Sequence, residues 1–453
     1  MPADRTELSG WAVAWTMTSV FCLALVVRAI NLATLGDEKA FFAEADSAVY
    51  WALGAGLSKT RSFWPTFAGM TDRMPLYPLL IAGVRGVFGD AAHYVAWIQA
   101  VIDAGTCALI ALLGRRLSPW IGLIAGALAA FSPTLVVLST QILTDTLFVF
   151  FFTLMLVLCA AFAARPSNWR ALAAGLAGGL SAATRAVDVP LLAVVPLVVL
   201  LTALIRRKSA ASALTAAVLF AAGVMAPISP VVVRNVALFH TWSLTSQTGD
   251  YIALWIVPLV KQRADGTPYA VSTDRIMAEA QRRLIAGTRQ DDPFVRSSIE
   301  THIAREELAQ LPLSAKIKSW IEGAVVNLFA PAVILDPRVR ALPKPSFYAT
   351  AGTGLVQRSL AYLFDDFGTY QLVIIVGLAL VVPIAVLGGA GFVILVGRIP
   401  WVGVLAGGVC LYFLLISGPI ASPKYRMPIE PVLIMFCAVA FAALGRPKTR
   451  LAN

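Results

Sequence analysis

Six charged side chains stand at the ends of apolar segments, and all of them are expected on the same side of a membrane. They are Asp46, Arg73, Asp145, Arg185, Arg234 and Arg426. Charged groups are costly next to hydrocarbon, so their presence there usually indicates a functional site. A positioned carboxylate can take a proton from a hydroxyl group, and guanidinium groups can hold a phosphate. The pattern therefore predicts a site at the non-cytoplasmic face that combines a base with anion-binding groups.

The composition places the chain among polytopic membrane proteins. Of its 453 residues, 58% are hydrophobic and 13% are charged, and the mean hydropathy is +0.78. A net charge of +11 would suggest nucleic acid in a soluble protein, but here most Lys and Arg lie in short loops between apolar runs. Membrane orientation explains them, so no nucleic-acid partner is expected. The five cysteines fall in apolar runs and the three histidines lack ligand spacing, which argues against a disulfide framework or a zinc motif.

Ten apolar runs are close to the roughly 20 residues that a helix needs to cross a bilayer. They lie near residues 11–32, 93–113, 119–138, 146–164, 170–184, 189–205, 211–233, 371–396, 400–418 and 428–445. We therefore predict an all-α polytopic fold with roughly ten transmembrane helices. The first run is long enough to be a retained anchor rather than a signal peptide.

The distribution of basic residues predicts the orientation. Positive charge falls in alternate connections, namely Arg115–Arg116, Arg165 to Arg170, Arg206 to Lys208, Arg398 and the tail with Arg446, Lys448 and Arg450. Such residues favour the cytoplasmic side, so both termini are predicted to be cytoplasmic.

Two long segments then lie outside. Residues 33–92 carry Trp51 and Trp64 and are predicted to form interfacial helices. In the second segment, residues 234–370, Arg282 to Glu307 is predicted as an amphipathic helix and Ile317 to Leu335 as interfacial or re-entrant. The chain divides accordingly into a seven-helix module (1–233), a periplasmic or interfacial segment (234–370) and a three-helix membrane region (371–453).

The first outer segment arranges acidic, basic and aromatic residues in a characteristic order. It reads Asp46-Ser47-Ala48-Val49-Tyr50 and later Arg73-Met74-Pro75-Leu76-Tyr77-Pro78. This order resembles the first outer loop of polyprenyl-phosphate-dependent glycosyltransferases of the GT-C superfamily, in the branch with protein O-mannosyltransferases and aminoarabinose transferases (glycosyltransferase family 39-like). Many relatives carry Glu where this chain has Ser47, so a two-carboxylate version of the motif is not present at that point.

Later parts of the chain resemble the same family in the same order. The matching stretches are Thr144 to Leu147, Gly175 to Arg185, Pro230 to Asn235 with Leu244 to Gly249, and Lys424 to Pro431. The resemblance implies a GT-C fold and inverting transfer of a sugar from a polyprenyl-phosphate donor to a lipid, glycan or protein acceptor. It also implies that a basic residue at the position of Arg73 contacts the donor phosphate.

Asp46 is the predicted base, and Asp145 is predicted to assist it, either by orienting the acceptor or by holding a metal. Each carboxylate has a simpler alternative as a helix N-cap. The pair Asp37-Glu38 is a rival to Asp46 because it reads Asp-Glu literally, although its continuation fits less well.

The remaining predicted site residues divide into two sets. The donor phosphate is assigned to Arg73, Arg426, Lys424, Arg185 and Arg234, and substrate contacts are assigned to Tyr50, Tyr77, Tyr425 and Gly249. The alternative for each basic residue is snorkelling toward lipid headgroups. No cofactor is required beyond the lipid-linked donor, and a divalent metal is a candidate.

Three other functions compete with glycosyl transfer. A transporter or flippase of a lipid-linked or anionic substrate would explain charge in the membrane, but its sites should lie near the bilayer midplane. A polysaccharide polymerase or ligase would carry its main motif in a late loop, and a scaffold would need no base. The compact loops and the Ala- and Arg-rich composition favour a bacterial inner membrane.

Overall fold

The computed structural model describes residues 10–43, 45–287, 289–343, 347, 350–352 and 354–445. Within these ranges every regular element is helical, which confirms the predicted all-α class. The basic tail with Arg446, Lys448 and Arg450, on which part of the predicted orientation rests, lies outside the described residues.

Eleven helices cover residues 10–239, and those outside the first outer segment match the predicted apolar runs. The eleven helices are α1 (Gly10–Ala33), α2 (Ala45–Leu57), α3 (Thr60–Gly69), α4 (Leu76–Phe88), α5 (Ala92–Arg115), α6 (Pro119–Ala130), α7 (Pro133–Ser139), α8 (Asp145–Ala164), α9 (Asn168–Thr184), α10 (Val189–Ile205) and α11 (Ala210–Phe239). The predicted run 119–138 is the bent pair α6 and α7, which meet at 48°.

The outer segment and the C-terminal region supply ten further helices. They are α12 (Gln247–Asp250), α13 (Val257–Asp265), α14 (Tyr269–Ile285), α15 (Pro293–Gln310), α16 (Leu313–Phe329), α17 (Pro337–Arg340), α18 (Leu355–Phe364), α19 (Thr369–Arg398), α20 (Pro400–Ser417) and α21 (Glu430–Gly445). A π-helical turn, Tyr251–Ile256, joins α12 to α13, and short 3₁₀ helices cover Glu38–Phe41, Ala186–Asp188, Ala332–Leu335 and Pro423–Ile429.

In the part of the chain that the structure describes, eight helices are long and apolar enough to cross a bilayer, and the bent pair makes a ninth. The tenth predicted span is α9, which is helical as expected but has only 17 residues. It packs along α8 and α11, both of which are candidate spans, so α9 lies in the same membrane layer as they do. The protein is therefore a multi-pass membrane protein.

The helices of the first outer segment are short. α2, α3 and α4 have 13, 10 and 13 residues, which is less than a bilayer crossing requires. They fold over the ends of α5 and α8 and carry the first predicted motif.

The second outer segment differs from the prediction in one place. Arg282 to Glu307 is not one helix, because α14 ends at Ile285 and α15 begins only at Pro293. Asp292 accepts hydrogen bonds from the backbone N–H groups of Phe294 and Val295, which is an N-cap that starts a new helix. The stretch Ile317 to Leu335 is also divided, between α16 and a 3₁₀ turn, and it is not among the candidate spans.

A buried ion pair ties the first helices together. The Arg28 guanidinium on α1 donates to the Asp103 carboxylate on α5 at 2.7 Å and also to the carbonyls of Ala129 and Ala130 at the end of α6. Both charged side chains are fully buried. The break between α6 and α7 thus has its free carbonyls satisfied by a cation, as the low dielectric of a bilayer demands.

Glycines allow the closest helix contacts. A Cβ atom on Gly175 would lie 2.1 Å from the Phe220 carbonyl oxygen, and one on Gly391 would lie 1.7 Å from that of Phe436. Small residues let membrane helices approach backbone to backbone. They fix the pairs α9 with α11 and α19 with α21.

Candidate functional site

The structure brings three predicted residues into contact at the mouth of the first outer segment. Arg73, on the loop between α3 and α4, lies 2.8 Å from the carboxylate of Asp46, which is in the first turn of α2. The ammonium group of Lys424 lies 3.7 Å from the other oxygen of that carboxylate. The Asp46 side chain is 38% exposed while both cations are largely buried, so the carboxylate is held by fixed positive groups and still open to solvent.

Asp46 does not act as a simple helix cap. Its side-chain hydrogen bond comes from Arg73, and none of the described backbone amides donates to it. The hydroxyl of the next residue, Ser47, accepts from the Ala43 N–H instead. The helix start is therefore stabilised by Ser47, and the N-cap alternative for Asp46 is not supported by the geometry.

A second carboxylate and guanidinium pair joins two membrane helices. Arg185, directly after the last residue of α9, donates to the Asp145 carboxylate at 2.8 Å. Asp145 is 2% exposed and stands in the first turn of α8, where the helix dipole stabilises negative charge. Arg185 keeps part of its surface accessible. This pair and the pair of Asp46 with Arg73 together form a charged cleft.

Tyr50 lies between the two pairs. The Arg73 guanidinium is 5.7 Å from the centroid of the Tyr50 ring. Tyr50 is also close enough to Asp46, Asp145 and Arg185 for their charges to act on it. Burial raises the pKa of Tyr50, and the two cations only partly oppose that shift. The Tyr50 hydroxyl makes no hydrogen bond with the described residues, so a neutral phenol is available to a ligand.

The environment of Arg73 keeps it charged and leaves a donor unused. Burial tends to lower the pKa of Arg73, but Tyr50, Asp72 and Asp46 outweigh it and the pKa is raised. The same balance raises the pKa of Arg185, where Asp145 opposes burial. Across the described parts of the chain, the buried Nε of Arg73 has no hydrogen-bond partner. An anion beside Arg73 would meet a permanent cation.

Arg426 lies in a different environment. Its guanidinium binds Glu430 at 3.0 Å, the Thr134 hydroxyl at 2.6 Å and the Leu328 carbonyl at 2.9 Å. Glu430 in turn accepts from Ser132 at 2.7 Å. Arg426 is 6% exposed and joins α21, α7 and the end of α16. Its contacts support a structural role more strongly than the predicted phosphate contact.

Arg234, like Arg426, forms hydrogen bonds to backbone carbonyl groups. Its guanidinium donates to the carbonyls of Phe67 and Met70 at 2.7 and 2.6 Å, at the end of α3. The neighbouring Asn235 donates to the carbonyls of Ser243 and Leu244. These two residues, near the end of α11, therefore fix the loop that carries Arg73 and the start of the outer segment. Among the described residues no carboxylate pairs with Arg234, and its buried Nη2 has no partner.

The other predicted contact residues lie behind or beside this cleft. Tyr77 is fully buried and donates to Gln99 at 2.5 Å, with its ring 5.3 Å from that of Tyr50. Tyr425 lies against Lys424, whose ammonium is 5.9 Å from the ring centroid. Gly249 lies under α15, where a Cβ atom would meet the Ser297 carbonyl at 2.3 Å. Tyr77 and Gly249 thus serve packing in the described structure.

The rival motif Asp37-Glu38 has local structural partners. Asp37 accepts from the Lys39 N–H at 3.0 Å and caps a 3₁₀ helix, while Glu38 accepts from the Ala92 N–H at 2.8 Å at the start of α5. This arrangement favours Asp46 over Asp37 as the functional carboxylate.

The described residues contain no group of three His, Cys, Asp or Glu side chains that could hold a metal ion. Asp46 and Asp145, the predicted candidates, are each engaged by an arginine. Their environment fits an anion between the two cations better than it fits a divalent cation.

Two acidic partners of the site residues were not predicted. Asp72 accepts from Arg73 at 3.1 Å, and Glu430 pairs with Arg426. Both had a signal in the sequence, since Asp72 adjoins Arg73 and Glu430 follows Arg426 by four residues, the spacing of ion pairs on a helix.

The fold and the charged cleft define a multi-pass membrane protein with a candidate active site where helix ends meet an outer loop. Residues 72–234 match the family described as dolichyl-phosphate-mannose-protein mannosyltransferase. The matched region includes Arg73, Asp145, Arg185 and Arg234 and covers more than a third of the chain. It confirms the predicted resemblance to the GT-C superfamily. No curated protein sequence matches the chain significantly.

Two solved structures resemble the chain. They are ArnT from Cupriavidus metallidurans bound to undecaprenyl phosphate and the same protein in the apo state, with TM-scores of 0.39 and 0.37. Each is 15% identical, and the alignments cover 97% of this chain and 79% of the other.

Proposed function

We propose that this protein is a membrane glycosyltransferase of the GT-C type that moves a sugar from a polyprenyl-phosphate donor to a hydroxyl group of an acceptor. The observation that carries the proposal is the solvent-open Asp46 carboxylate held by Arg73 at 2.8 Å and Lys424 at 3.7 Å. It joins a base to two cations at one membrane boundary. The family match over residues 72–234 supports the same class of reaction and donor.

The reaction needs one proton transfer and one leaving group. The acceptor oxygen attacks the anomeric carbon and forms the new glycosidic bond. The bond between that carbon and the phosphate oxygen breaks, and its electron pair leaves with the polyprenyl phosphate. Asp46 takes the proton from the acceptor hydroxyl. Attack opposite the leaving group gives inversion.

Charge develops on the phosphate as the bond breaks, so fixed cations stabilise the transition state more than the ground state. Arg73 and Lys424 are the proposed phosphate contacts, since they already flank a carboxylate and Arg73 has an unused buried donor. Arg185 is the third, with Asp145 holding its guanidinium in place. The Tyr50 hydroxyl, between the two pairs, is proposed to bind the sugar or the phosphate.

The other basic residues hold the backbone segments that carry the proposed phosphate contacts. Arg234 fixes the loop that carries Arg73, and Arg426 fixes the 3₁₀ helix that carries Lys424. In this proposal the donor tail follows the lipid-facing surface of the module formed by residues 1–233, and the segment 234–370 receives the acceptor. The region 371–453 completes the bundle. The site faces the periplasm of a bacterial inner membrane, with both termini in the cytoplasm.

The test is sugar transfer by the full chain in proteoliposomes loaded with radiolabelled undecaprenyl-phosphate sugars and bacterial envelope extract as acceptor. We expect label to move from the donor lipid to an acceptor fraction with first-order dependence on the protein. Label that stays on the donor lipid but crosses the bilayer faster than in protein-free vesicles would contradict the proposal and support a flippase. Label that neither moves nor crosses with any donor tested would also contradict it.

A further inference from the structure

A polar pocket of about 400 Å³ lies in the outer segment, away from the two carboxylate pairs. One wall is formed by the loop after α11, with Ser243 and Thr245, and by Thr248 on α12. The other wall is α15, with Ser298 and Arg305. Nothing in the proposed chemistry uses these side chains, so the pocket needs a separate explanation.

Seven of the ten residues that line the pocket carry a hydroxyl group, and four of those hydroxyls have no partner among the described residues. In the structure as described, the side chains of Ser243, Thr245, Thr248 and Ser298 form no hydrogen bonds. Each hydroxyl can donate one hydrogen bond and accept two, which matches the hydroxyl groups of a sugar. A polyprenyl chain in the same place would leave these groups unsatisfied, at a cost for each. The wall therefore selects a polyhydroxylated ligand over a lipid chain.

An arginine on the rim adds a preference for negative charge. Arg305 is exposed and forms no ion pair with any residue that the structure describes. The nearby acidic side chain of Glu306 is already engaged by Arg283 at 2.8 Å. The free guanidinium can bind a carboxylate or phosphate on the ligand with two parallel hydrogen bonds.

The pocket is linked directly to the loop of the candidate site. Ser246, between the pocket residues Thr245 and Thr248, donates its N–H to the Thr71 carbonyl at 2.8 Å. Thr71 lies two residues before Arg73. On the other side, the Gly249 N–H donates to the Ser297 hydroxyl at 2.9 Å, which holds the pocket wall against α15. A ligand in the pocket would therefore lie on the same outer surface as Asp46.

From these contacts we infer that the pocket binds the saccharide part of the acceptor, and that this saccharide carries an acidic group beside Arg305. The inference rests on the proposed function and adds the chemical class of the acceptor to it. The hydroxyl wall recognises the sugar ring, and Arg305 recognises its carboxylate or phosphate.

The test is saturation-transfer NMR on the full chain in nanodiscs with galacturonic acid, glucose 1-phosphate and galactose as probes. We expect transfer to both acidic sugars, with a Kd at least about tenfold lower than that for galactose, the difference made by one charged hydrogen-bonded group. The acidic sugar with the lower Kd shows whether the pocket prefers a carboxylate or a phosphate. Equal transfer to all three, or transfer to none, would overturn the inference.

Three exposed positions provide the variants. Ser298→Tyr fills the pocket and should abolish saturation transfer, while Arg305→Ala should raise the Kd for the acidic sugars about tenfold and leave galactose unchanged. Arg275→Ala removes another exposed arginine, which lies outside the pocket beside Glu307 at 3.6 Å, and should behave as the parent. Binding that survives Ser298→Tyr would place the sugars elsewhere and contradict the inference.

Binding of undecaprenyl phosphate by the same preparations separates this inference from the proposed function. If donor binding depends on Arg73 while the Kd values of the sugars are unchanged in the Ser298 and Arg305 variants, the pocket assignment fails and the transferase proposal stands. If the sugars bind in the pocket but no donor binds, the transferase proposal fails.

Discussion

Asp46 and Arg73 lie 27 positions apart in the chain, yet their carboxylate and guanidinium groups meet at 2.8 Å. The contact joins the first turn of α2 to the loop before α4, above the ends of the membrane helices. Because Asp46 stays partly open to solvent, the pair is a place where a ligand can enter without unfolding the protein.

Arg73 and Arg426 should respond differently to truncation. Arg73→Ala removes a cleft cation with an unused donor, so the Kd for undecaprenyl phosphate should rise about tenfold or more with little change in Tm. Arg426→Ala leaves Glu430 buried without its partner, so Tm should fall while the Kd changes little. Thermophoresis with undecaprenyl phosphate and thermal unfolding in detergent measure the two effects. The reverse assignment would return Arg426 to the phosphate site.

The contributions of Asp145 and Arg185 to the unfolding free energy should be coupled. Asp145→Asn leaves the Arg185 guanidinium without a carboxylate, and since Arg185 is partly exposed the cost should be about 2 kcal/mol of unfolding free energy. Arg185→Gln in the same chain should recover part of that loss. Stability of the two single variants and the double variant measures the coupling. Strictly additive effects would mean that the two groups do not depend on each other.

Glu300 should make the outer segment less stable as pH rises. Burial, with Asp250 beside it, raises its pKa from 4.5 to about 7, although Arg296 partly opposes the shift. Between these two values the folded protein keeps a proton that the unfolded chain has lost. Stability is therefore highest at the acid end of this window and declines as pH rises through about 7.

Glu300→Gln removes that proton linkage, so its Tm should change less between pH 5 and pH 8 than the Tm of the parent. Asp274→Asn, at an exposed position on α14, is the matched control and should keep the parent's pH dependence. Identical pH dependence in the parent and in Glu300→Gln would exclude Glu300 as the group responsible.

The contact of α19 with α21 should depend on a single glycine. Gly391→Ala places a methyl group where the Phe436 carbonyl lies, so the helices must separate, at a cost of about 2 kcal/mol. Gly389→Ala, two residues away on the same helix, meets nothing within 4 Å and should leave Tm nearly unchanged. Thermal unfolding of the two variants compares them directly, and equal losses would show that the close approach is not what Gly391 provides.

The helices were largely predictable because the bilayer requires long apolar runs that composition reveals. The connections between the helices were less predictable from the sequence. The end of α14 and the new start at Pro293 depend on the Asp292 cap, a local signal inside a pattern that looked continuous. The broken span between α6 and α7 depends on Ser132 and Pro133, which start a new helix after an apolar run.

The site was predictable in its residues but not in its pairing. Asp46, Arg73 and Lys424 were singled out from their types and positions. Their contact depends on how the 3₁₀ helix after α20 and the first outer segment fold over the same helices, which no local spacing encodes. Arg426 shows the limit of position alone, since it is two residues from Lys424 but turns toward Glu430 and Thr134.

The most direct test of Asp46 as the base compares sugar transfer by the parent, Asp46→Asn and Asp37→Asn at matched amounts in proteoliposomes. Asp46→Asn should lose transfer by at least about a hundredfold, the usual contribution of a positioned base, while still binding undecaprenyl phosphate. Asp37→Asn, which changes only a helix cap, should transfer normally. Unchanged transfer by Asp46→Asn would contradict the account and move the base to Asp145 or Asp37.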